Sequence, residues 1–323
     1  MAFFLLIDTA QKRRIIKKTL PLLICLLFVL TAGGIFLLRA PVLVVVDDSF
    51  LQLYGSSRFN TRGILSSLEL FRRVIAVPVS EGAGPDLTAL AVEGTSSLPR
   101  AVLFPYRYRE AAVLYSARQP EIQVLVVGEG NALPRDFPEA LPGQQVNNNS
   151  SLQAKALALG YVQTDNFLDL YRAGLCAALL AGDSGGVLFS YDRQMNERQR
   201  EAFREGLRAR NFTREPAFIW SPADYAAVDG VGCVVISGAA SSFLQSNPEI
   251  PVILFSWIDP SITPRSVKIT FDDSTWALAA ELIKKRPSGG EEIFVPSRTA
   301  LVKSRIAAQK NVRELQKLLR VHP

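Results

Sequence analysis

Histidine is almost missing from this chain: its 323 residues include one, His322, beside the C-terminus. That excludes a histidine general base, a Ser-His-Asp relay and a histidine metal site anywhere in the body. Cysteine is nearly as scarce. Cys25, Cys176 and Cys233 show no metal-ligand spacing. Cys25 lies in an apolar run, Cys176 in an apolar helix pattern and Cys233 in an apolar strand pattern. The last two read as buried thiols, with a disulfide between them as the alternative in an oxidising compartment. No metal and no cofactor are expected, and no nucleophile–base pair marks an enzyme. Gly-Asp-Ser-Gly-Gly at 182–186 resembles a serine-protease nucleophile motif, but with no histidine to serve it the segment reads as a helix C-cap and turn.

Charge is missing from Thr19 to Leu38, where twenty residues read TLPLLICLLFVLTAGGIFLL. A helix of that length crosses a hydrocarbon core of about 30 Å. Lys12, Arg13, Arg14, Lys17 and Lys18 precede it and would stay cytoplasmic. The run is longer than a signal-peptide core, its end is a poor A-x-A cleavage site, and Ile24 before Cys25 argues against a lipoprotein cysteine. The expectation is a single-pass signal anchor over 19–38 in the cell inner membrane, following a basic cytoplasmic segment over 1–18, with a periplasmic or extracytoplasmic body. The alternatives are a cleaved signal and a buried helix of a soluble domain. Pro41 follows Leu38 so closely that the body should sit near the bilayer.

Net charge is +6, but residues 1–39 carry +5 and residues 297–323 carry +6, leaving −5 for residues 40–296. An acidic body argues against a nucleic-acid surface there.

Strands and helices alternate from Pro41 onward. Apolar strand runs stand at 41–46, 74–79, 100–104, 122–127, 160–163, 185–190, 217–220, 233–237 and 251–255, and 268–271 leads into the last helix of the series. Helical periodicity falls at 61–73, 86–92, 109–118, 167–181, 197–210, 239–245 and 274–285, with Ile64, Leu65, Leu68 and Phe71 sharing one face of the first. Residues 128–151 are rich in Gly, Pro and Asn and read as a loop. This rhythm predicts an α/β chain of two doubly wound parallel-sheet lobes with right-handed crossovers. In such sheets ligands bind beyond the C-terminal strand ends.

That rule selects Asp47, Asp48, Ser49 and Phe50, then Tyr106, then Tyr191 and Asp192, and finally Trp257 and Asp259 as ligand-binding candidates. Carboxylates accept hydrogen bonds from ligand hydroxyls and aromatic rings stack on a sugar or base. The competing reading of each position is an ordinary N-cap or turn.

Several segments together resemble the type 1 periplasmic-binding-protein fold, and within it the basic membrane protein, or purine-nucleoside-binding lipoprotein, family. They are Ala101–Phe104 with Pro120–Val127, Thr164-Asp165-Asn166 with Tyr171–Leu175, Gly186–Phe189 with Arg200–Leu207, and Val234–Ala239 with Val252–Asp259. The resemblance covers about Pro41 to Lys285. It implies a ligand in a cleft between lobes and hinge closure around it, with Asp47, Ser49 and Phe50 reaching in from the first lobe, Tyr106 at the third strand end and Asp259 reaching in from the second. The sequence departs from the family in lacking its acyl-anchoring cysteine, in a shorter first strand-end loop, in Asp272-Asp273 where a lysine is expected, and in Ser-Tyr-Asp after Phe189, which would put Tyr191 in the cleft.

Lobe 1 is expected over 41–164 with 271–323, and lobe 2 over 165–270. Arg298–Arg320 reads as an amphipathic helix docked on the first lobe, or in contact with anionic lipid. The functional expectation is a membrane-anchored solute-binding protein, not an enzyme, that captures a nucleoside, sugar or similar small molecule for uptake or sensing. An ABC transporter or a membrane sensor would be its partner. The alternative is a cell-envelope structural or interaction module that keeps the fold without the ligand.

Overall fold

The computed structural model describes residues 9–47, 64–80, 82–96, 98–128, 159–182, 185–191, 195–219, 230–237, 249–255, 265–285, 292–303, 306 and 309–321. The chain begins with α1 (Thr9–Leu38), a helix of 30 residues that is about 45 Å long at 1.5 Å per residue. Its apolar side chains from Leu23 to Leu38 are mostly exposed. Among the described residues no helix is long and apolar enough to cross a membrane.

Two six-stranded sheets follow. The first holds β1 (Val42–Asp47), β2 (Val74–Val79), β3 (Ala101–Pro105), β4 (Gln123–Gly128), β5 (Leu159–Thr164) and β11 (Glu292–Val295), in the order β11-β5-β4-β3-β1-β2. All of its pairings are parallel. The second holds β6 (Gly186–Tyr191), β7 (Ala217–Ile219), β8 (Val231–Ser237), β9 (Val252–Phe255), β10 (Val267–Asp272) and β12 (Arg298–Leu301), in the order β12-β10-β9-β8-β6-β7. Here only the edge strand β12 is antiparallel. The two α/β parallel-sheet lobes expected from the alternation are present.

Continuous apolar runs form β1 and its neighbours because both faces are covered. Val42, Val44 and Val46 pack with Leu278, Leu282 and Ile283 of α7 (Thr275–Lys285). Leu43 and Val45 face the other way, towards Ala89 and Val92 of α3 (Pro85–Thr95) and Ala112 and Tyr115 of α4 (Arg109–Arg118). Each fully buried Val or Leu contributes about 1.5–3 kcal/mol. In the second lobe α5 (Asn166–Ala181) and α6 (Glu197–Arg208) cover one face around Phe189 and Phe203. These two helices touch through Gly174 and Gly206. A Cβ at Gly174 would lie 2.3 Å from the Phe203 carbonyl oxygen, and one at Gly206 would lie 2.1 Å from that of Tyr171. Gly182, at φ 66°, ends α5. This is the cap read from Gly-Asp-Ser-Gly-Gly. Cys176 and Cys233 are separate buried thiols.

Three parts of the fold depart from the sequence reading. First, Arg298–Leu301 is a strand of the second sheet. The tail helix α8 (Gln309–Leu318) buries Leu315 and Leu318 in the core shared with α5, so it docks on the second lobe. The expected assignment of 271–323 to lobe 1 is thus corrected for β12 and α8. Second, α2, described over 64–70, turns its face around. Ser66 and Ser67 are buried, whereas Ile64, Leu65, Leu68 and Phe71 are 58, 47, 64 and 37 % exposed. The small serines allow close approach to the sheet, and Ser67 Oγ accepts the Val74 N–H, 2.9 Å away, as β2 begins. Third, α1 joins β1 at its N-terminal end. The Phe36 ring meets Phe71 edge-on at 5.8 Å and the Arg39 guanidinium lies 5.2 Å over that ring. The C-terminal ends of the first-sheet strands are thus one strand length, about 20 Å, from this joint, farther than the short linker by itself suggests. The predicted helix at 239–245 lies outside the described residues, as does the predicted loop at 128–151 after Gly128, which ends β4.

Candidate functional site

Among the described residues the chain passes between lobes three times, each time from the C-terminal end of a parallel strand. Thr164 of β5 leads through Asp165 into α5, Asp272 of β10 through Asp273-Ser274 into α7, and Val295 of β11 through Pro296-Ser297 into β12. Crossings of one or two residues span at most about 7–11 Å. The C-terminal edges of the two sheets are therefore held against one another. This is where β1, β3 and β6 end, and so where Asp47, Tyr106 and Tyr191 stand.

Asp47 is the last residue of β1 and is 1 % exposed. Arg107, in the 3-10 turn Tyr106–Tyr108 that follows β3, pairs with its Oδ2 while remaining half-exposed itself. The Arg107 guanidinium also lies 5.1 Å over the Tyr108 ring. Tyr106, half-buried, carries the Arg109 guanidinium 4.9 Å above its ring. Tyr161 of β5 sits close enough to feel both. Burial, then Tyr106, pushes its phenol pKa up, and Arg109 opposes this. The first-lobe rim is thus a buried carboxylate paired with one arginine, beside two neutral tyrosines under a second arginine, which leaves one positive charge over. Such a rim presents directed N–H donors and ring faces.

Tyr191 ends β6 but does not fill the cleft as its position suggested. It is 9 % exposed and belongs to the second-lobe core. Its hydroxyl accepts a hydrogen bond from Arg200 at 3.0 Å, and that guanidinium lies 5.5 Å over the ring. Strand alternation explains this, because Val187, Phe189 and Tyr191 all point to the face covered by α5 and α6. Asp48, Ser49, Phe50, Asp192, Trp257 and Asp259 lie outside the described residues.

Sequence reasoning missed the side chains that tie these crossings together. Asp169, on the first turn of α5, is fully buried and its Oδ2 accepts the Ser297 N–H at 2.9 Å. This ties the β5–α5 crossing to the β11–β12 crossing, which the Asp165 N–H to Val295 carbonyl bond of 2.9 Å reinforces. Burial raises the Asp169 pKa to about 7, with Asp273 adding to the rise and Ser297 and Arg172 opposing it. At the β10–α7 crossing Asp272 Oδ1 accepts from the Ser274 hydroxyl at 2.8 Å, and Ser274 Oγ in turn accepts the Ala277 N–H at 3.3 Å. Ser274 is thus the N-cap of α7, held in place by Asp272.

No family model matches this chain, and no curated protein matches it. Solved structures do. A transcriptional activator of the comK gene from Bacillus halodurans aligns over 87 % of this chain and 96 % of its own, at 10 % identity and a TM-score of 0.55. An ABC transporter solute-binding protein from Conexibacter woesei aligns over 87 % and 95 %, at 14 % identity and the same TM-score. The fold is that of the type 1 periplasmic-binding proteins. One of these two structures belongs to a gene regulator and the other to a transport system, so the likeness shows the fold alone.

Proposed function

We propose that this chain is a membrane-anchored, extracytoplasmic solute-binding protein that captures a small polar ligand, a sugar or a nucleoside, between its lobes for uptake or sensing, without chemistry of its own. The observation that carries this is the apposition of the C-terminal strand edges by three short crossings, with Asp47–Arg107 and Tyr106–Arg109 on the first-lobe rim. The aligned solute-binding structure supports the reading through its fold. The nucleoside alternative rests on the resemblance to the basic membrane protein group, and an ABC transporter or membrane sensor is the corresponding partner.

The anchor is supported by the uncharged run Thr19–Leu38 inside a single 30-residue helix and by the five cations before it. Its joint at the start of β1, locked by Phe36 and Arg39 on Phe71, would hold the first lobe upright with the cleft directed away from the bilayer. That geometry suits a fixed receptor that hands its ligand to a neighbour in the same membrane.

Differential scanning fluorimetry of the full chain in nanodiscs, against nucleosides, pentoses, hexoses and amino acids, tests the binding reading. Saturable stabilisation by one class is expected, since a ligand at a hundred times its Kd adds about 2.7 kcal/mol. A flat response across the panel would favour the interaction module. One observation leans that way: Arg107 and Arg109 already occupy Asp47 and one face of Tyr106.

A further inference from the structure

A cavity of about 480 Å³ lies at the edge where β11 passes into β12, and no strand-end residue of the interlobe site lines it. Its charged lining is lopsided. Arg172, Lys285, Arg298 and Arg320 face one acid, Glu281. The cations come from both lobes: Lys285 ends α7 on the first, whereas Arg172 of α5, Arg298 of β12 and Arg320 after α8 belong to the second.

Arg172 is unusual among the four because its side chain is 5 % exposed. A buried guanidinium is costly unless hydrogen bonds and an opposite charge surround it. Its Nε donates to the Val321 carbonyl at 2.9 Å, which supplies a dipole but no charge. The nearest carboxylate, Asp169, stands 4.0 Å from Nη1, beyond hydrogen-bonding distance, and its other oxygen is committed to Ser297. Arg298 shares its charge with Glu69 of α2 at 2.5 Å. Lys285 and Arg320 sit exposed at the rim, where Lys285 Nζ reaches the Phe294 carbonyl at 3.3 Å.

We propose that this cavity is a second binding site, for a phosphate-type oxyanion held between the buried Arg172 and the rim cations Lys285 and Arg320. Planar guanidinium forks match the oxygens of a tetrahedral anion, and lysine adds a point charge. Because the rim cations belong to different lobes, a bound anion would bridge α7 and the end of α8 across the hinge, and its occupancy would bias the lobe angle.

The test is thermal denaturation of the full chain in detergent micelles, titrated with inorganic phosphate and, separately, with glycerol phosphate. Ionic strength is held constant with sodium chloride. Saturable stabilisation by one or both is expected; the free anion alone identifies inorganic phosphate as the occupant, and the ester alone identifies a phosphomonoester. The double variant Lys285→Glu/Arg320→Glu, altered at exposed positions, should weaken binding at least tenfold while keeping the wild-type circular dichroism spectrum. Arg320→Gln should weaken it less. A shift no larger than chloride gives at equal ionic strength, or one that survives the double variant, overturns the proposal.

Discussion

Asparagine at position 169 should make this protein more stable at pH 8 and flatten its stability between pH 5 and 8. Asp169 is buried at the hinge, and its pKa rises from an ordinary 3.8 to about 7. Between those values the native state holds a proton that the unfolded chain has released, so stability falls as pH increases. The contribution is fully present below about pH 4 and is gone above about pH 7. From pH 5 to pH 8 the two-unit span at 1.36 kcal/mol per unit gives a loss of about 3 kcal/mol. The groups facing Asp169 set this balance: Ser297 and Arg172 favour the charged form, and Asp273 and burial oppose it. Asp169→Asn keeps an acceptor for the Ser297 N–H, 2.9 Å away, and removes the titration. Urea denaturation of the full chain, followed by circular dichroism at several pH values, reads both slopes. A wild type whose stability rises from pH 5 to pH 8, or a variant that keeps the wild-type slope, would refute the reasoning.

Other consequences can be checked with the same assay. Arg107→Ala should cost about 1–3 kcal/mol, because it removes the arginine that pairs with the buried Asp47 carboxylate. Adding Asp47→Asn should recover part of that loss, and a double-mutant cycle with no coupling would contradict the pairing. Gly206→Ala should destabilise by about 1–3 kcal/mol or more, since its Cβ would meet the Tyr171 carbonyl oxygen at 2.1 Å; a neutral melt would show that α5 and α6 do not touch there. Asn196→Ala should cost about 1 kcal/mol by dissolving the capping box in which Asn196 and Gln199 exchange bonds of 2.9 and 3.0 Å. An unchanged melting temperature would count against that cap.

The alternating order of the lobes was legible because β1, β3, β4 and β8 are apolar on both faces, and a strand covered on both sides cannot hide that in its sequence. Four-residue strands such as Glu292–Val295 and Arg298–Leu301 are too short to show a period, so the third crossing and the return of the tail to the second lobe were not visible. The reversed face of α2 was hidden for another reason. Ser66 and Ser67 pack inward through size and a hydrogen bond, which hydropathy does not register. At the site, Asp47 and Tyr106 followed from the strand-end rule, but the pairing of Asp47 with Arg107 depends on β1 and β3 lying side by side. Asp169 and Arg172, three residues apart on a helix, have the spacing of an ordinary exposed ion pair. Only the convergence of the crossings buries them.

Hydrogen exchange on the full chain, with and without whichever sugar or nucleoside stabilises it, tests most directly that ligand is held between the lobes. Protection is expected at the C-terminal ends of β1 and β3 and in the turn Tyr106–Tyr108, together with the C-terminal end of β6 on the other lobe and the crossings at Asp165 and Ser297. Protection confined to one lobe, or absent from these strand ends while binding persists, would contradict the account.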